Sequence, residues 1–125
     1  MIQETFPIIS VPDPDTALRF YRDLLGGRVT YQFPETGRAD YLALDLGASK
    51  LGIGSDPEAT EPSNRFALWI YVTDCDAAVD QLRAGGVTIT IEPADQPWGE
   101  RTAQVEDFDG NTIHLGQAAT AADVS

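Results

Sequence analysis

The chain has 125 residues, 42% of them apolar, with 20 acidic and 8 basic side chains and a formal net charge of −12. That is enough apolar material for one compact domain, or for two half-size modules sharing a core, and the negative balance excludes ordinary nucleic-acid binding, which needs Lys and Arg against phosphates. The single cysteine, Cys75, cannot form an internal disulfide, and no run approaches the ~20 apolar residues of a membrane span or the pattern of an export leader, so a soluble cytoplasmic protein is expected.

The apolar run from Phe6 to Val11 predicts a first strand. Asp13-Pro14 then starts a helix, with Asp as N-cap and Pro at the first helical position, where its missing N–H is not needed. Ala17, Leu18, Tyr21, Leu24 and Leu25 recur at helical spacing, and Gly26-Gly27 ends the helix. Strands follow over Val29 to Phe33, Tyr41 to Leu46 and Lys50 to Gly54, the first closed by Pro34 and followed by a turn at Glu35 to Arg38. The stretch Asp56 to Asn64 is rich in Pro, Glu, Ser and Thr and reads as a linker.

The same order then repeats. Phe66 to Val72 predicts a strand; Asp74 caps a helix through Ala77, Ala78, Leu82 and Ala84 to Gly85-Gly86; strands follow at Val87 to Ile91, Thr102 to Glu106 and Thr112 to Leu115. Asp107 to Asn111 is the tight turn before the last strand, with Gly110 at positive φ. Residues from Gln117 onward read as a frayed tail. The repeat is also visible residue by residue. Val11 to Leu18 returns as Val72 to Val79, Gly26-Gly27 as Gly85-Gly86, and Tyr41 to Asp45 as Ala103 to Asp107, each about 60 residues on. The expected fold is therefore α+β: two tandem βαβββ modules, residues 4–55 and 65–117 of a single domain spanning 1–125, forming a pseudo-symmetric curved sheet around a central cleft, with 118–125 as a tail.

A doubled strand–helix–three-strand unit resembles the vicinal oxygen chelate superfamily, the glyoxalase, bleomycin-resistance and extradiol-dioxygenase group. Asp13 to Gly26, with its Phe20-Tyr21 pair and Leu25-Gly26 stop, resembles the family's first-helix signature; Pro97-Trp98-Gly99-Glu100-Arg101, followed by Val105 to Asn111, resembles its second-half signature, with Phe108 where a proline is usual. The resemblance implies that enzymes of the group hold a divalent metal with His and Glu side chains. Carried onto this chain, the ligand positions are Phe6, Gly52, Ala67 and His114. Phe, Gly and Ala have no side-chain donor atom, and one histidine cannot supply the three or four ligands of a stable site. The expectation is no metal and no cofactor. Asp45, Asp107 and Asp109 lie near strand ends or turns and are read as ordinary caps of backbone N–H groups.

His114 is the only histidine; it can serve as a general base, as a hydrogen-bonding group to a ligand, or as a satisfied core residue. Strand alternation puts Ala67, Trp69 and Tyr71 on one face. Trp98 and Arg101 fall at the rim implied by the resemblance, and Tyr41 and Phe33 add aromatic surface from the first module. Flat aromatic faces bind planar or cationic ligands at ~0.5–2 kcal/mol each; the competing reading is plain core or dimer packing. Cys75 follows the cap Asp74 and is read as structural.

Three functions compete. The first is a metal-free binding protein, similar to the bleomycin-resistance branch, which sequesters a small aromatic ligand, cationic or uncharged, through Trp69, Tyr71 and Trp98, with polar contacts from His114 and Arg101. The second is a lyase, isomerase or dioxygenase-type enzyme using His114 as base or an unrecognised metal. The third is a partner module with a vestigial cleft. A homodimer is expected, with or without exchange of modules, because an open sheet leaves edges and an apolar face to cover. Neither nucleic acid nor membrane is an expected partner.

Overall fold

A computed structural model of the chain describes residues 1–63 and 65–119. The chain divides into two compact units, Met1–Glu61 and Pro62–Ser125. The first holds β1 (Ile8–Val11), α1 (Pro14–Leu18) continued by a π-helical segment (Arg19–Leu24), β2 (Arg28–Phe33), β3 (Tyr41–Leu46) and β4 (Ser49–Ser55). The second holds β5 (Leu68–Tyr71), α2 (Cys75–Ala84), β6 (Thr88–Asp95), β7 (Arg101–Glu106) and β8 (Thr112–Gln117). Each unit builds one four-stranded sheet, ordered β1-β4-β3-β2 and β5-β8-β7-β6. In both, the first strand pairs in parallel with the last and the other pairs are antiparallel. The α+β fold of two repeated modules is thus present, and the repeat extends to register: Ile8 lies beside Gly52 as Trp69 lies beside His114. No described helix is long and apolar enough to cross a membrane.

Both helices start where the sequence places them. Asp13 accepts the Asp15 N–H at 3.0 Å ahead of Pro14, and Asp74 accepts the Ala77 N–H at 3.1 Å. Gly26 and Gly86 take positive φ, +82° and +90°, beyond the helix ends. The first helix departs from expectation inside. After Leu18 it widens, and the Leu25 N–H bonds to the Phe20 carbonyl at 3.0 Å, five residues back. A wider turn rotates the inward face. Phe20 and Tyr21 become fully buried, edge to face at 4.8 Å and 77°, while Leu24 and Leu25 are only half-buried.

Strand ends also differ from the sequence reading. β1 and β5 start at Ile8 and Leu68, not at Phe6 and Phe66, because their parallel partners β4 and β8 pair with them only from those residues. β6 runs on to Asp95, its register shifting between Ile91 and Ala94, around Pro93, which has no N–H for the ladder. β8 ends at Gln117 rather than at Leu115. Gln117 is not tail: its side-chain oxygen accepts the Cys75 N–H at 2.9 Å and ties the last strand to the start of α2. Of the expected tail, 120–125 lie outside the described residues, as does Asn64 of the expected linker.

One face of each sheet is packed. Val11, Leu42, Leu44, Leu51 and Ile53 are buried with Ala17, Leu18, Phe20 and Tyr21 in the first unit. Ala103, Val105, Ile113 and Leu115 are buried with Val79 and Leu82 of α2 in the second, where α2 contacts β6, β7 and β8. Full burial of each large aliphatic side chain contributes about 1.5–3 kcal/mol. At the turn into β8, Asp107 is 5% exposed. Its carboxylate accepts the N–H groups of Asp109 (2.9 Å) and Asn111 (2.8 Å) and the Asn111 amide (2.9 Å), the capping role read from its position. Asp107→Ala leaves these donors unmet and should cost about 2–4 kcal/mol in urea unfolding; a loss under about 0.5 kcal/mol would show that the turn holds without the carboxylate.

Candidate functional site

Alternation sends the aliphatic residues of β7 and β8 toward α2 and leaves the other face of that sheet open. Two cross-strand rows lie on it: Trp69, His114, Gln104 and Ile91, then Tyr71, Gly116, Thr102 and Ala94. Trp69 and Tyr71 are 44% and 61% exposed although both belong to a strand. The Trp69 indole lies flat on the sheet. A Cβ added at Gly116 would fall 2.8–2.9 Å from three indole atoms, so only glycine leaves room beneath the ring. Beside it the His114 imidazole is nearly parallel, at 5.7 Å and 21°. Tyr71 meets Trp69 edge-on at 5.9 Å and 65°. The result is a flat aromatic floor with its outer side uncovered in this unit.

A hairpin tip flanks it. Gln96-Pro97-Trp98-Gly99 is a turn closed by the Gly99 N–H on the Gln96 carbonyl at 3.0 Å, with Gly99 at φ +100° and the Gln96 N–H on the Glu100 carbonyl at 2.7 Å. Trp98 stands at the tip, 60% exposed. Its indole N–H donates to Glu100 Oε1 at 2.7 Å. The same carboxylate is the chief cause that raises the Tyr71 phenol pKa above the ordinary tyrosine value, which puts the two groups near one another. Glu100 thus holds the exposed Trp98 indole and lies near the exposed Tyr71 phenol. The sequence reading missed it because nothing in an isolated Gly-Glu-Arg run shows which neighbours the carboxylate meets. Ile91 escaped it for another reason, since the irregular register of β6 breaks simple alternation.

Arg101 points its charge elsewhere. Its Nε and Nη2 donate to Asp76 at 2.8 and 3.0 Å, and its Nη1 to Asp95 at 3.0 Å. Those bonds raise its pKa and lower that of Asp76. The contribution of Asp76 to this clamp is therefore present above the ordinary carboxylate range and is lost as pH falls through its lowered value. Cys75 is buried, and burial, then the Asp76 charge, pushes its thiol pKa up, away from a reactive thiolate.

In the first unit the open face carries Ile8, Tyr31, Phe33 and Tyr41. Phe33 is exposed and Tyr41 half-buried, with Tyr31 6.3 Å from Tyr41 at 54°. Tyr31 was legible in principle, two residues before Phe33 on the same strand face. Tyr41 covers Gly52: a Cβ there would fall 2.5 Å from the phenol oxygen and 2.8 Å from Ile8 Cγ1.

A family-type divalent metal would draw its ligands from positions 6, 52, 67 and 114. Phe6 and Ala67 precede β1 and β5 and carry no donor atom. Gly52 has no side chain, and the space for one is taken by Tyr41. His114, the one position with a donor atom, lies nearly parallel to the Trp69 indole. Among the described residues no three His, Cys, Asp or Glu side chains gather as a metal site. This set does not fit a family-type divalent metal.

Comparison with known proteins places this geometry. The family model described as Glyoxalase/Bleomycin resistance protein/Dioxygenase superfamily matches residues 4–115. CFP32 of Mycobacterium bovis, whose name carries the word glyoxylase, is 31% identical over 98 residues, which are 78% of this chain and 37% of that protein; the chain spans little more than a third of that relative. Among solved structures, TioX from Micromonospora sp. ML1 superposes with TM-score 0.78 at 22% identity, covering 92% of this chain and 98% of TioX. The bleomycin resistance determinant encoded on transposon Tn5 gives TM-score 0.71 at 20% identity, covering 95% of this chain and all (100%) of that one. At these identities the two structures report fold alone.

The Gly116 contact gives a direct test. In Gly116→Ala the exposed indole, not the backbone, should yield. Trp fluorescence should shift to the red while unfolding free energy stays within about 1 kcal/mol of wild type, since the small gain of Ala over Gly in a strand offsets local crowding. Unchanged emission would mean the ring does not rest on Gly116.

Proposed function

The chain belongs to the Glyoxalase/Bleomycin resistance protein/Dioxygenase superfamily, and within it we propose that it is a metal-free protein that binds and sequesters a small aromatic molecule. The observation that carries this reading is the Trp69 indole laid flat over Gly116 beside His114, with its outer face uncovered in its unit, Tyr71 edge-on to it and Trp98 held by Glu100 on the flanking hairpin. Two large exposed aromatic side chains in contact on one open sheet face, with a third exposed on the hairpin that flanks it, form a surface that a monomeric domain rarely leaves without a use. Sequestration needs no chemistry, in keeping with ligand positions that cannot hold a metal. The bleomycin resistance determinant among the fold neighbours supports the same direction.

In this reading Trp69, Tyr71 and Trp98 are the stacking surfaces, and His114 offers a donor or acceptor at the floor. Phe33 and Tyr41 offer the corresponding surface in the first unit. Arg101 acts as a clamp between α2 and the hairpin, its donors being engaged by Asp76 and Asp95. The open aromatic faces also favour a homodimer, which would cover part of them, and the acidic, disulfide-free chain suits the cytoplasm.

Calorimetric titration of wild type and Trp98→Ala with the ligand found by screening tests this. The variant should bind at least about tenfold more weakly, about 1.4 kcal/mol; an unchanged dissociation constant would remove Trp98 from the site. One observation favours a second reading, a lyase or isomerase with His114 as base: the only histidine lies on the open face. Turnover of the bound compound that disappears in His114→Ala with binding intact would establish it, and full turnover in that variant would exclude the role.

A further inference from the structure

We propose that Glu100 makes the aromatic floor of the second unit selective for a planar cation over an uncharged ring of the same shape. This rests on the aromatic-binding reading above and adds the charge of the ligand to it. The Glu100 carboxylate accepts a neutral donor, the Trp98 indole N–H at 2.7 Å, and by alternation it shares the sheet face of Thr102 in the Tyr71–Gly116–Thr102 row. Neutral donors orient a carboxylate without cancelling its charge. Among the described residues no Lys or Arg forms an ion pair with Glu100, whereas its neighbour Arg101 is taken up by Asp76 and Asp95. A full negative charge therefore stands, half-buried, beside Trp98 at the border of the floor.

The rings reinforce that charge. The face of an indole is the negative part of its quadrupole, so Trp69 and Trp98 attract a cation by the same sign of field as the carboxylate. Partial removal from water strengthens both terms. A neutral ring would gain stacking alone; an anionic ring would meet repulsion from each group. The bond from Trp98 also fixes the carboxylate, so little ordering entropy is lost when a cation arrives.

Acridine and N-methylacridinium separate these effects, because at mildly alkaline pH the first is uncharged and the second a permanent cation of nearly the same shape. In calorimetric titrations the wild-type protein should bind N-methylacridinium at least about tenfold more tightly than acridine. Glu100→Gln, which keeps a side-chain oxygen for Trp98, should abolish that preference, so that N-methylacridinium binds no more tightly than acridine. Equal binding of the two probes by wild type, or a preference that survives in Glu100→Gln, overturns the proposal and leaves the aromatic reading standing. Loss of both probes in the variant overturns it too, since Glu100 would then position the rings rather than select charge. Binding of neither probe by wild type overturns it together with the aromatic reading.

Discussion

The two-residue alternation of the strands is the constraint on which everything else depends. It sends Leu44, Leu51 and Ile53 in one sheet, and Val105, Ile113 and Leu115 in the other, to the packed face. The intervening positions are thereby forced to the opposite face, whatever they are. In most half-exposed sheets those positions would be small or polar. Here they include Tyr31, Phe33, Trp69, Tyr71 and Ile91, all more than half exposed except Trp69. Stability is carried by one face, and the other is left free to vary.

Duplication shows how that freedom was used. The two units share strand order and pairing register, yet equivalent positions hold different chemistry. Gly52 and His114 correspond, as do Ile8 and Trp69. In the first unit an aromatic ring, Tyr41, covers the glycine at the position where family enzymes carry a ligand; in the second the ring of Trp69 lies beside the histidine and over a different glycine, Gly116. Both solutions put a ring close to the backbone, and both require the absence of a Cβ beneath it.

Much of this was legible in the chain itself. Asp13-Pro14, Asp74 and the paired glycines marked both helices because capping is local chemistry, decided within a few residues. The repeat fixed the order of elements, and the missing donors at positions 6, 52 and 67 could be read directly. What escaped was set by distant partners. The π-helical widening that buries Phe20 depends on packing within the first unit, and the extension of β8 to Gln117 depends on a bond to Cys75. Arg101 looked like a ligand contact until Asp76, 25 residues away in sequence, was seen to hold it. Glu100 entered only as part of a signature and not as a site residue, because its importance comes from Trp98 and Tyr71, one two residues away and the other on a different strand.

The central claim is binding by an aromatic surface without a metal. A thermal-shift screen of the metal-stripped protein tests it most directly, with planar cationic antibiotics, common metabolites and divalent metals in the panel. A ligand present at a hundred times its dissociation constant adds ~2.7 kcal/mol to stability. The account predicts a saturable rise in melting temperature from an aromatic organic compound with no metal added. A rise from a divalent metal alone would contradict it.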